Sequence, residues 1–258
     1  MRLRFVLSVL AAGVMTSALA AAEGADKPKV IPNINRSTEY PNVYHSPSAD
    51  STPPAFRSIF QMEVVVKRGE EEAGVVYANG TVVTDKGHIA SVIDVPNATT
   101  EDFGGIVSAS VLTLDGGGAE AKLVSWEPAY GVAVFQVEGL EARPLPLSKA
   151  RLVAKRRLMW NAVVRDGRKT FLYRRPLQVH KAAQQVGDTS DLCEIIDYAS
   201  SSLNADRSGS ALIGLDGSLV ALMGRQPHWN VSRKNVKPRT KVAWAVPATV
   251  IARLLEQG

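Results

Sequence analysis

The chain holds a single cysteine, Cys193, among its 258 residues. No intrachain disulfide can form, and Cys193 reads as a small buried hydrophobe, with a reactive thiol as the alternative. Histidine is scarce too: His45, His88, His180 and His228 are all there are, and no histidine or cysteine falls at metal-ligand spacing. The run Gly116-Gly117-Gly118 lacks the lysine and the following helix of a phosphate-binding loop, so it reads as a flexible turn. Neither a metal nor a cofactor is therefore expected. Aromatic residues make up only 6% of the chain, which leaves its basic stretches without the interleaved rings of a single-strand nucleic-acid site. The apolar run at 5–14 is too short to span a bilayer.

That run does have another use. Arg2 and Arg4 precede it, and Ser17-Ala18-Leu19-Ala20 follows as a small-x-small cleavage site. Residues 1–20 read as a secretory signal peptide cut after Ala20, which predicts a secreted or periplasmic protein with no stable membrane insertion after cleavage. Residues 21–55 are rich in Pro, Asn, Ser and Ala, carry no period, and read as an extended arm. The remainder is ordinary globular material, since the whole chain is 45% hydrophobic and 21% charged.

The net charge of +5 is unevenly spread. Acids outnumber bases between residues 56 and 150, with Glu70-Glu71-Glu72 the densest group, read as a solvated hairpin tip. From 151 to 181 Asp166 stands alone against Arg156-Arg157, Arg168-Lys169, Arg174-Arg175 and their neighbours, and 224–241 repeats the basic bias. A solvated face balanced by the acidic half is the simpler reading; an anionic polymer is the partner such a face could otherwise attract.

From residue 59 the texture is that of short β-rich runs broken by Gly, Asp and Asn. Runs at 62–67, 73–77, 81–84, 88–95, 105–114, 122–126 and 132–137 are predicted strands, with Asn79-Gly80 as a turn. Further runs follow at 158–164, 170–173, 177–181, 194–198, 211–215, 219–223 and 242–246. Pro247 then suits a first helical turn, and Val250, Ile251, Leu254 and Leu255 mark an amphipathic terminal helix. The predicted class is all-β.

Residues 203–217 read Leu-Asn-Ala-Asp-Arg-Ser-Gly-Ser-Ala-Leu-Ile-Gly-Leu-Asp-Gly. A polar turn presents Ser208 as an exposed hydroxyl, ahead of a hairpin tipped by Asp216-Gly217. The stretch resembles the nucleophile loop of trypsin-like serine proteases of the HtrA/Deg branch, Asn-Pro-Gly-Asn-Ser-Gly-Gly-Pro-Leu followed by a hairpin. Other segments are similar in order: Gly74-Val75-Val76, Thr84-Asp85-Lys86-Gly87-His88-Ile89, Gly131-Val132-Ala133-Val134-Phe135, Arg143-Pro144-Leu145-Pro146-Leu147-Ser148, and Trp244-Ala245-Val246-Pro247. The resemblance covers roughly 60–255 and implies two six-stranded antiparallel β-barrels with a cleft between them. It divides the chain into a barrel at 56–148, a second at 149–246 and a helix at 247–258. The family's peptide-binding PDZ module is not expected.

Acyl transfer by a serine needs a base, a carboxylate that orients the base, and N–H groups aimed at the oxyanion. Carried over residue by residue, the resemblance puts Asp94 at the position of the histidine and Gly131 at that of the orienting aspartate. Ser208 keeps the nucleophile's place, and Asp206 replaces a glycine of the oxyanion hole, which Asp206 and Ser208 would form. A carboxylate is too weak a base for a serine hydroxyl near neutral pH. The expectation is a degenerate protease domain, a pseudoprotease that binds a protein or extended peptide as a scaffold. Its alternative is a divergent serine endopeptidase in which Ser208 uses a replacement base such as His228.

Overall fold

The computed structural model describes residues 43–45, 54–68, 71–93, 103–112, 117–166, 169–186, 189–197, 208–224 and 241–257, all within one compact unit, Asn35–Gly258. The expected signal peptide, most of the arm, and the positions Asp94, Asp206 and His228 lie outside the described residues. In chain order come β1 (Val43–His45), a 3-10 turn at Pro54–Ser58, β2 (Ile59–Arg68), β3 (Glu71–Val82) and β4 (His88–Val92). Next are β5 (Phe103–Leu112), β6 (Gly118–Glu120), β7 (Lys122–Glu127) and β8 (Val132–Gln136). The second half supplies β9 (Arg157–Asp166), β10 (Lys169–Val186), β11 (Thr189–Asp197), β12 (Ala211–Ile213), β13 (Leu219–Met223) and β14 (Lys241–Pro247), then the helix α1 (Ala248–Gln257).

The first sheet runs β6-β5-β2-β3-β4-β8-β7, antiparallel throughout. Only Ala121 separates β6 from β7, and its N–H donates to the Ala109 carbonyl at 2.9 Å. The pair is thus one bent strand that meets β5 at one end and β8 at the other, closing six strands into a barrel. The second sheet runs β1-β10-β11-β14-β13-β12-β9, and β9 also pairs with β10, so six strands close here as well. β1 is the extra member. It lies along Phe171–Tyr173 of β10, a stretch that β11 does not reach.

Period-two patterning explains the interiors. Met62, Val64 and Val66 of β2 are buried, while Glu63, Val65 and Lys67 face outward. Asn79-Gly80 does not turn, contrary to the prediction. β3 passes straight through it, paired with β2 on one side and β4 on the other, and a side chain at Gly80 would come within 2.5 Å of Ile89 and Met62, so the glycine serves close approach. The apolar runs at 170–173 and 177–181 likewise merge into the 18-residue β10. One apolar core joins both barrels: Phe56, Ile59, Val92 and Val134 from the first pack with Val163, Leu212's neighbour Ile213, Leu222 and Trp244 from the second. Val250, Ile251 and Leu254 of α1 close it, as the sequence period requires.

Polar groups sew the same interface. Beyond the end of β12, the outer edge of β9 has two backbone N–H groups that no described strand covers. The Asn79 Oδ1 accepts from Val163 N–H at 2.6 Å, and Gln61 Oε1 accepts from Arg165 N–H. Side-chain amides of one barrel thereby substitute for a ladder strand of the other.

Candidate functional site

Ser208 and Gly209 form a tight turn immediately before β12. Gly209 has φ +75°, and a Cβ there would lie 2.0 Å from the Asn79 carbonyl oxygen and 2.7 Å from Ser91 Oγ. Both the backbone shape and the close approach demand glycine. Two bonds to β13 fix the turn: Gly209 N–H donates to Met223 O at 2.7 Å, and Met223 N–H to Ser210 O at 2.8 Å. A third comes from the other barrel, Asn79 N–H to Ser208 O at 2.7 Å. Beneath the turn, Trp160 Nε1–H donates to Ser210 Oγ at 2.6 Å, and the Arg175 guanidinium carbon lies 4.6 Å from the Trp160 ring centre.

The sequence predicts an exposed hydroxyl at Ser208; the structure buries it. Ser208 is 3% exposed and its Oγ–H donates to the Val92 carbonyl at 2.9 Å. Neighbouring Ser91 does the same to the Asn79 carbonyl at 2.7 Å. The reason is packing: the turn is pressed into the seam between barrels, so its hydroxyl meets the end of β4 rather than water. A carbonyl oxygen accepts a hydrogen bond but does not take up the proton, so this geometry holds the hydroxyl without activating it.

Of the positions singled out from sequence, Ser208 and Gly131 lie among the described residues, and both meet the end of β4. Val92, the partner of Ser208, stands two residues before Asp94, and Ile93 N–H donates to the Gly131 carbonyl at 2.8 Å. Gly131 closes the turn ahead of β8 with φ +65°, and a Cβ there would sit 3.2 Å from the Ile93 carbonyl oxygen. Ser208, the end of β4 and Gly131 thus line one seam. Of the other histidines, His88 begins β4, roughly 13 Å along the strand from Val92, and its Nδ1 is 2.9 Å from Thr84 Oγ1. His180 is exposed on β10. Among the described residues no group of three His, Cys, Asp or Glu could hold a metal.

Sequence reasoning missed Asn79, Gln61, Ser91 and Trp160, the groups that hold the turn. Their residue types are unremarkable, and only the seam gives them partners. Asn79 was even read as half of a turn.

Two antiparallel six-stranded barrels, a terminal helix packed across both, and a serine turn in the seam decide the architecture. The fold is that of the trypsin-like proteases. Among solved structures, this trypsin-like domain superposes on the active form of the Rv3671c protease from M. tuberculosis with a TM-score of 0.56 and 17% identity, covering 88% of this chain and 93% of that one. An inactive form of the same protease, carrying a serine-to-alanine mutation, gives 0.51 and 15%, over 84% and 97%. The HtrA-type protease AlgW, in a serine-to-alanine form with a tripeptide, gives 0.54 and 13%, over 79% of this chain and 62% of that protein. No protein-family profile and no curated protein sequence matches the chain.

Proposed function

We propose that this trypsin-like domain is a catalytically inactive, exported module that holds a protein or extended peptide segment without cutting it. The observation that carries the reading is the Ser208 hydroxyl, buried and donated to the Val92 carbonyl instead of an imidazole. Gly131, which the resemblance sets at the orienting position, has no side chain, and its carbonyl accepts from Ile93 N–H. Loss of triad members lowers turnover by about four to six orders of magnitude. Two barrels with an intervening seam can still bind an extended segment through backbone pairing. The reading as an exported protein rests on Arg2, Arg4 and the 5–14 run before Ala20.

A fluorophosphonate probe and casein hydrolysis test the proposal. The expected result is no covalent labelling and no turnover above that of Ser208→Ala. Labelling that disappears in Ser208→Ala would overturn it. Should His228→Ala then abolish activity as well, the protein is a divergent serine endopeptidase with His228 as its base.

A further inference from the structure

At the end of β12 away from Ser208, two loops lie side by side on the second barrel. One is the hairpin tip Gly214–Gly217 between β12 and β13; the other is the 149–156 segment that leads into β9. They are joined at the root, because Ser148 N–H donates to Leu219 O at 2.9 Å and Leu219 N–H to Pro146 O at 2.8 Å. Both tips are held firmly. Gly214 N–H donates to Ser218 O at 2.9 Å, and Ser218 Oγ–H and N–H both donate to Asp216 Oδ1, at 2.7 and 3.1 Å. Lys155 N–H donates to Val179 O at 2.7 Å, and Lys155 takes φ +66° there, the only non-glycine described with positive φ.

These tips carry the most exposed large apolar side chains described, Leu215 at 90% and Val153 at 56%. Cations flank Val153 along its loop, where Lys149, Arg151, Lys155 and Arg157 are all exposed, and Arg156 reaches the root of the hairpin tip beside Gly214. No acid occurs in the sequence between Glu141 and Asp166. The one acid on the hairpin tip, Asp216, is held by Ser218 and faces Arg156, so it offsets that one guanidinium and leaves Lys149, Arg151, Lys155 and Arg157 as the excess charge. A leucine protruding from a hairpin and a valine on an adjacent loop that is rich in exposed Lys and Arg match a soft anionic layer. The aliphatic tips enter the acyl boundary while the cations remain among the headgroups. Neither tip bears an aromatic ring to stack on a base.

We propose that this end of the second barrel docks peripherally on an anionic phospholipid surface, with Leu215 and Val153 inserted. The test is sedimentation of the full chain with vesicles of equal parts phosphatidylglycerol and phosphatidylcholine, against pure phosphatidylcholine. An environment-sensitive fluorophore on Leu215→Cys reports insertion at this site and not elsewhere; Val107→Cys on the first barrel is the control. Expected are a blue shift at position 215 alone and binding that weakens with salt. Leu215→Ser with Val153→Ser should weaken binding about ten-fold, and Lys149→Glu with Arg151→Glu and Lys155→Glu at least a hundred-fold, roughly. Equal binding to both vesicle types, or no shift at 215, overturns the proposal. So does vesicle binding indifferent to the Ser pair, with duplex DNA bound as tightly, which would make the surface a general polyanion site.

Discussion

Gly209 shows how much one residue can carry. Its φ of +75° and the Asn79 oxygen 2.0 Å from any Cβ leave no room for a side chain. Gly209→Ala should therefore cost at least about 3 kcal/mol, strain and displacement together, read as a lowered urea midpoint. Tyr77 makes a second test. Burial, followed by the charge and hydrogen bond of Glu63, holds its phenol above the ordinary value of 10.0. A raised folded-state pKa contributes stability that is complete below the unfolded value and lost as pH rises through the folded one. The urea midpoint should then fall on the alkaline side, beyond about pH 10, and less so in Tyr77→Phe. Asp216 behaves oppositely: its bonds from Ser218, aided by Arg156, hold it below the usual carboxylate range, so its contribution fades only in acid.

At the level of elements, the edge of β9 matters more than its hydrophobicity suggests. Val163 and Arg165 N–H have side-chain acceptors from the other barrel, Asn79 and Gln61. Asn79→Ala or Gln61→Ala leaves a backbone donor unpaired in the seam, and each should cost about 1–3 kcal/mol by denaturant titration. A cost under about 0.5 kcal/mol in both would mean that water replaces the amides. The strands themselves were largely legible, because period two and β-branched residues speak locally. Asn79-Gly80 was misread for a physical reason: the dipeptide is a turn signal only when the chain may reverse, and here Gly80 serves the approach of Met62 and Ile89. The helix at Ala248–Gln257 was plain, since Val250, Ile251 and Leu254 lie on one stripe.

Taken whole, the two barrels are not independent bodies. Phe56, Ile59, Val92 and Val134 share a core with Ile213, Leu222, Trp244 and Ile251. Unfolding should accordingly be a single cooperative transition, with calorimetric and van't Hoff enthalpies equal. Two resolved transitions would contradict the shared core. A fragment ending at residue 148 should fail to fold by circular dichroism, because it would expose that half of the seam to water.

By itself the sequence determined the all-β class, the run of strands, the terminal helix and the turn that carries Ser208, since each is encoded in neighbours a few residues apart. It also named Gly131 as a position without a side chain. Only the tertiary structure decided that the Ser208 hydroxyl is buried and bonded to Val92, that Asn79 and Gln61 cap β9, and that Leu215 and Val153 protrude together among cations. Those facts depend on contacts between segments tens of residues apart, up to 116 for Ser208 and Val92. No local pattern carries them, because the partner is chosen by how two closed barrels meet.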